Sequence, residues 1–449
     1  MTTHHTARTR TWAVPATAAL VLAAVAGGLA AGPVFAATDD PTEGGLWYYT
    51  VPGLPEIHAT GVTGEGITVA VIDGPIYPDS PDLAGTNLIL PDASFCDDDR
   101  DGVAEPATST TFNAEHATTL TALIIGTGAG INGEPGVQGV APDATVYVYP
   151  YSTTVAACEL NGRDGATVEF EQAIADGADV INMSISGWGN KPEGLAALAR
   201  AQRSGVIVVA AANDMDVSGM GFPAAANGVV AVEAADVDRS LRRDAVAHPL
   251  LTVVAPGVDI RGLAQRADWQ AYGLGTGSSQ ATAWVSGVLA LAWSQYPDAT
   301  ANQMIQALLR TTSQSDGGLT RVDDHWGYGM VNARNLVGID PTTLPDVNPL
   351  LRDDPDAQPT IDQIMGTQPD PGAEPTEPVT DPDPEPTQAA PAPTDPDATG
   401  PPPALIITLV AALALAGAIT TVIQLRRRTT PVTGPPAPPG PSTPPTPGD

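Results

Sequence analysis

From residue 46 to residue 337 the chain alternates two kinds of apolar segment. One kind is a short unbroken run of mostly β-branched residues: 67–72 (I-T-V-A-V-I), 145–149, 180–185 (V-I-N-M-S-I), 206–212 (V-I-V-V-A-A-A), 228–232 and 251–254. Runs of this length predict strands, and their failure to alternate with polar residues means that both faces of the sheet are covered. The other kind predicts helices over 118–125, 168–175 and 195–203, the last two closed by Gly177 and Gly205. A longer helix is expected from Ser279, where Ala283, Val285, Val288, Leu289, Leu291 and Ala292 recur on and around one face. Strands alternating with helices predict an α/β fold in three layers, with a mainly parallel central sheet. In such sheets, sites form beyond the carboxyl ends of the strands, and Asp73 and Asn213 stand at two such ends.

The two ends of the chain follow different rules. Arg8 and Arg10 precede an apolar run over 13–31 and a small-residue site near Ala36 or Ala37, which reads as a signal peptide over 1–36. Residues 404–425 form an uncharged apolar stretch of membrane-spanning length, followed at once by Arg426, Arg427 and Arg428. Those arginines hold the tail 426–449, which is Pro-rich, on the cytoplasmic side. The expected layout is a short N-terminal extension over 37–64, a folded domain over 65–338, a disordered Pro/Asp/Glu-rich linker over 339–403 and a single C-terminal transmembrane helix. The folded domain would then sit outside the cell membrane. Nineteen Lys+Arg against 51 Asp+Glu give a net charge of −32, which argues against nucleic acid as a partner. Outside the membrane, the two cysteines, Cys96 and Cys158, predict one disulfide.

The candidate chemistry starts from the glycines at 273, 275 and 277, which allow tight turns just before Ser278 and Ser279 open the long helix. A hydroxyl there meets unpaired N–H groups and the positive end of a helix dipole. On this stretch alone a capping serine is the plainer reading. Taken with Asp73 and His116, Ser279 completes the set of nucleophile, base and orienting acid, in the chain order Asp, His, Ser.

With these residues the chain resembles the subtilisin family (subtilases) of serine proteases in several ordered blocks. V-A-V-I-D-G at 69–74 is similar to the family's aspartate block, and H-A-T-T-L-T-A-L-I-I-G at 116–126 to its histidine block. G-V-A-P-D-A at 139–144, V-I-N-M-S-I at 180–185, F-P-A-A at 222–225, A-P-G-V-D-I at 255–260 and W-G-Y-G-M-V-N-A at 326–333 resemble further family segments. V-V-A-A-A-N-D at 208–214 is similar to the block of the oxyanion-hole asparagine, and G-S-S-Q-A-T-A at 277–283 to the serine block. The resemblance implies a subtilisin-like fold and a serine endopeptidase. Its implied catalytic residues are Asp73, His116 and Ser279, with Asn213 at the oxyanion hole. It also implies that Ser184, Ile185 and Ser186, with Ala210, Ala211 and Ala212, pair with an extended peptide substrate. Six positions depart from the usual blocks: Gly74 and Pro75 after the aspartate, Ala117, Ser278, Gln280 and Ala283. Ala117 replaces a glycine beside the base, where it can shift the ring.

Within the family the layout is most similar to the mycosins, the membrane-anchored subtilases of type VII secretion systems, which implies secretion-channel components as partners. An alternative on the same residues is a catalytically weak or inactive structural subunit that stabilises such a complex. Asp97, Asp99 and Asp101 alternate before Gly102 as in a calcium loop, but Thr108 stands at the twelfth position, where a bidentate carboxylate belongs. A solvated acidic insert is the plainer reading there, so no cofactor is expected, calcium being the one candidate. His58, His248 and His325 lack ligand-like spacing, and no metal site is assigned to them. G-T-G-A-G at 126–130 and G-L-G-T-G-S at 273–278 resemble nucleotide loops only superficially: the first ends a helix and the second lacks the P-loop lysine.

Overall fold

The computed structural model describes residues 42–97, 101–151, 158–160, 163–185, 191–212 and 219–367. Its strands are β1 (Thr68–Asp73), β2 (Leu88–Ile89), β3 (Thr145–Pro150), β4 (Glu159–Leu160), β5 (Arg163–Asp164), β6 (Val180–Met183), β7 (Ile207–Ala211), β8 (Val230–Ala235), β9 (Val253–Pro256), β10 (Ile260–Leu263) and β11 (Tyr272–Gly275). Its helices are α1 (Trp47–Thr50), α2 (Leu54–His58), α3 (Glu115–Ile125), α4 (Gly165–Ala175), α5 (Pro192–Arg203), α6 (Ser278–Gln295), α7 (Ala301–Arg310), α8 (Ala333–Val337) and α9 (Ile361–Met365).

Seven strands form one sheet in the order β2-β3-β1-β6-β7-β8-β9, and every pairing in it is parallel. The apolar runs are unbroken because alternate residues serve two different cores. Val69 and Val71 of β1, Ile207 and Val209 of β7, and Val230 and Val232 of β8 face α3, α6 and α7. Their neighbours Ala70, Ile72, Val208, Ala210 and Ala231 face α4 and α5. This is the expected three-layer α/β arrangement, with strand ends that differ from the expected ones by a few residues. Helix α6 is buried on almost every side from Ser278 to Trp293, as a helix apolar all round must be. Gly287 is required there: a Cβ on it would lie 2.7 Å from Cβ of Val140. Helix α7 is an addition to the expected elements. Its capping box, Thr300 with Gln303, is a sequence signal that marks its start.

The residues ahead of β1 belong to the core. Trp47 and Tyr48 are fully buried. The Trp47 indole donates to Val258 O (2.9 Å), the Tyr48 hydroxyl to Gln138 O (2.8 Å), and Trp284 donates to Tyr48 O (3.0 Å). Replacing Trp47 by alanine removes a core ring and should destabilise the fold by about 3–5 kcal/mol. The thermal unfolding midpoint of the variant measures this, and an unchanged midpoint would show that the segment is dispensable.

The C-terminal boundary at 338 is corrected by the structure. Residues 339–367, expected as unstructured linker, pack on the body. Asn227, fully buried, accepts from Arg352 N and donates through Nδ2 to the carbonyls of Arg352 and Pro359. Gln303 and Gln306 of α7 donate to the carbonyls of Thr342, Leu344 and Val347. Helix α9 lies against α5, with Arg203 donating to Gln363 O (3.0 Å). The segment is fixed by side-chain amides that satisfy its backbone and by Ile339, Leu344 and Leu350, which pack against the core, with Ile364 buried. Among the described residues no helix is long and apolar enough to cross a membrane. The expected signal peptide, the expected 404–425 span, the tail and the linker beyond 367 lie outside the described residues. Cys96 and Cys158 are joined in a disulfide, as expected.

Candidate active site

Strand β1 ends at Asp73, at the carboxyl edge of the sheet, where its carboxylate is 1% exposed. Oδ1 accepts the Gly74 N–H at 2.7 Å. The next strand along, β6, runs out into Ser184 and Ile185, and β7 beyond it into Ala212. Met183 pairs with Ala210, so residues 184–185 beyond β6 run beside Ala211, the last residue of β7, and Ala212. The crevice a parallel sheet makes at such ends is therefore walled by Asp73 and by the predicted substrate-pairing residues.

His116 lies in the first turn of α3, after a 3-10 turn over Phe112–Ala114. Its Nδ1 is 2.8 Å from Oδ1 and 3.0 Å from Oδ2 of Asp73. Both partners are carboxylate oxygens, so Nδ1 carries the proton and donates, which makes Nε2 the basic nitrogen. The imidazole is 44% exposed while Asp73 is 1% exposed, the arrangement of a base open to substrate and held from behind by a buried anion. Ala117 leaves the ring on both oxygens, so the glycine it replaces is not needed for this contact.

Ser279 is in the first turn of α6, after Gly277 in an extended conformation (φ 175°). Helix α6 packs against both α3 and β6. The Ser279 hydroxyl donates to Ser184 O, and the Ser184 hydroxyl donates back to Ser279 O, each at 3.0 Å. Asn182 Nδ2 donates to Ser184 Oγ (3.1 Å), and Ser286 Oγ donates to Asn182 Oδ1 (3.0 Å). Thr282 Oγ1 donates to Ser278 O at 2.7 Å. This buried polar thread fixes the start of α6 against the end of β6. Asn182, Thr282 and Ser286 were not among the sequence-predicted site residues. The signal for two of them is the recurrence of hydroxyls at 278–279, 282 and 286, one helical face of α6.

The predicted Asn213 and Ser186 lie outside the described residues, as does Asp99. The two described aspartates of the acidic loop bond to their own turn: Asp97 accepts from Asp101 N and Gly102 N, and Asp101 from Val103 N. His58 donates from Nε2 to Val140 O (2.9 Å), and burial holds its pKa below the ordinary imidazole value. A cavity of about 150 Å³ opens beside His116, walled by Phe112, Glu115, Arg266, Leu274 and Gln280 among others. A larger one of about 320 Å³ lies between α5, α7 and the C-terminal segment and holds none of the predicted site residues.

Comparison with known proteins shows the family. A family model described as the subtilase family matches residues 64–329. Subtilisin E of Bacillus subtilis (strain 168) is 31% identical over 292 residues, covering 62% of this chain and 68% of subtilisin E. The major intracellular serine protease of the same organism is 34% identical over 249 residues, 53% of this chain and 71% of that protein. Among solved structures, fervidolysin from Fervidobacterium pennivorans superposes with a TM-score of 0.53 at 24% identity, covering 66% of this chain and 46% of its own. The prenylagaramide maturation protease PagA gives 0.51 at 22%, covering 64% and 98%. At such identities these two structures speak for the fold.

Proposed function

The chain belongs to the subtilase family of serine proteases, and from that premise we propose that it hydrolyses peptide bonds through Asp73, His116 and Ser279, from a position anchored at the outer face of a cell membrane. The observation that carries the chemistry is the bond from His116 Nδ1 to both oxygens of buried Asp73. It sets the tautomer in which Nε2 accepts the Ser279 proton as Oγ attacks the peptide carbonyl. The new O–C bond leaves an oxyanion, for which the Ser279 N–H and the Asn213 side chain are the assigned donors. The imidazolium, stabilised by Asp73, then returns its proton to the leaving amine as the C–N bond breaks. Water, deprotonated by the same Nε2, releases the acyl group. An extended substrate adds as a strand along 184–186 and 210–212, and the cavity beside His116 receives a side chain of the leaving half.

The membrane anchor and the association with a type VII secretion system rest on the layout of the sequence: a leader, a short extension, the protease body, a Pro-rich spacer, an apolar span and a basic stop. The test uses the full chain in its membranes. Retention after alkaline carbonate extraction supports the anchor, and release into the wash removes it. Stoichiometric labelling by a fluorophosphonate supports the activated serine. A folded chain that takes no label would move the reading to a structural subunit.

A further inference from the structure

The turn between β10 and β11 carries two consecutive non-glycine residues in left-handed backbone conformations, Asp268 (φ 49°) and Trp269 (φ 60°). A bulky aromatic with positive φ is held there only when its surroundings over-determine it, and such strain collects at functional sites. The surroundings of Trp269 are specific. Its ring is 6% exposed and stacks on Tyr77, with centroids 4.1 Å apart and planes 2° apart. Its Nε1–H donates to Thr110 O at 3.0 Å, and it packs in one cluster with Ala114 and Leu263. From the same turn, Gln265 N–H donates to Glu115 Oε2 at 2.6 Å.

These contacts converge on the two halves of the Asp73–His116 pair. Tyr77 follows Asp73 in the chain, and its N–H donates to Thr118 Oγ1 (2.9 Å), whose hydroxyl donates to Ala114 O. Thr110, Ala114 and Glu115 lead directly into His116. The strand that leaves the turn, β11, ends at Gly275, just ahead of Ser278, where α6 begins. One turn thus grips the segment after the acid and the segment before the base, and is joined by a short stretch of chain to the helix of the nucleophile.

We propose that Trp269 is a positioning residue for the reaction: its stack on Tyr77 and its bond to Thr110 hold the start of α3 so that the imidazole of His116 stays on both oxygens of Asp73. Trp269 touches neither substrate nor reacting atoms and acts through His116. The proposal rests on the assignment of Asp73, His116 and Ser279 made above, and its test separates the two. Trp269→Ala and Trp269→Phe are prepared in the full chain, and active sites are counted by fluorophosphonate titration of a separate sample so that rates refer to the number of competent sites. Trp269→Ala should lower kcat per titrated site by about 10- to 100-fold, the scale of a sub-ångström to ångström misplacement, with KM within about threefold of wild type. Trp269→Phe keeps the stack and loses the indole N–H, so kcat should fall by about three- to tenfold, which is the partial rescue a positioning role requires.

The pH profile is the readout that a purely structural role would not move. A loosened bond to Asp73 stabilises the imidazolium less, so the acid limb of kcat should shift to lower pH by about half a unit in Trp269→Ala. Wild-type kcat per titrated site with an unmoved acid limb would overturn the proposal, even with a lowered Tm. If Trp269→Ala does not fold, Trp269→Phe decides by the same two criteria. A wild-type chain that neither labels nor cleaves would instead sink the underlying assignment.

Discussion

Ser279→Ala is expected to lower kcat for peptide hydrolysis on the order of 10⁶-fold and to abolish fluorophosphonate labelling, the scale of removing the nucleophile from a group of residues that acts as a unit. The fold should survive the change. The substitution deletes one hydroxyl and its bond to Ser184 O, but the reciprocal bond, from Ser184 Oγ to the backbone carbonyl of residue 279, is kept. Ala283 and its neighbours on α6 are untouched in the core. Substrate affinity should change little, because the strand ends that hold the peptide do not include the hydroxyl. Mass spectrometry of a cleaved peptide, beside labelling of the variant, reads both effects. Persistent labelling would mean that another serine is activated and would remove Ser279 from its role. Its neighbour Ser278 is fully buried and could not replace it without movement of α6.

Asp73→Asn should lower kcat/KM by about 10⁴-fold at neutral pH, with little change in the unfolding midpoint. The geometry gives the reason. Oδ1 accepts the Gly74 N–H, so an asparagine places its carbonyl oxygen there and its NH₂ where Oδ2 was, 3.0 Å from Nδ1 of His116. An NH₂ can only donate, so it opposes a proton on Nδ1, which then has as acceptor only the carbonyl oxygen 2.8 Å away that already takes the Gly74 N–H, and the balance shifts the ring proton toward Nε2. In that tautomer Nε2 cannot take the serine proton. Loss of the buried negative charge also makes the imidazolium less stable, so the acid limb of the residual activity should move to lower pH. Stability is kept because the amide retains the Gly74 bond and one buried charge is gone. A variant within tenfold of wild type between pH 6 and 8 would show that Asp73 does not orient the base.

The runs at 67–72, 180–185 and 206–212 were readable as buried parallel strands because Val, Ile and Ala dominate them and no charged residue interrupts them. What they could not say is which core each residue enters, since Val69 and Ala70 are equally apolar and only the pleat separates them. Asp73, His116 and Ser279 were legible because each sits in a local block of distinctive spelling. The contact between Asp73 and His116 spans 43 residues and depends on where α3 starts relative to β1. The packing of 339–367 was illegible for a different reason. Asn227 meets Arg352 across 125 residues, and an asparagine that will clamp a distant backbone looks in sequence like any surface asparagine.

The sequence by itself determined the layered α/β class, the chemistry-bearing residue types in their order, the disulfide partners and the acidic character of the chain, because these follow from local periodicity and composition. Only the tertiary structure decided the tautomer of His116, the polar thread from Ser279 through Ser184 to Asn182 and Ser286, the burial of Trp47 and Tyr48, and the grip of Trp269 on Thr110 across 159 residues. Each of these is a contact between segments whose spacing along the chain carries no signal. Directed hydrogen bonds and ring stacking act only at contact distance, and that distance is set by the packing of the whole sheet and its helices.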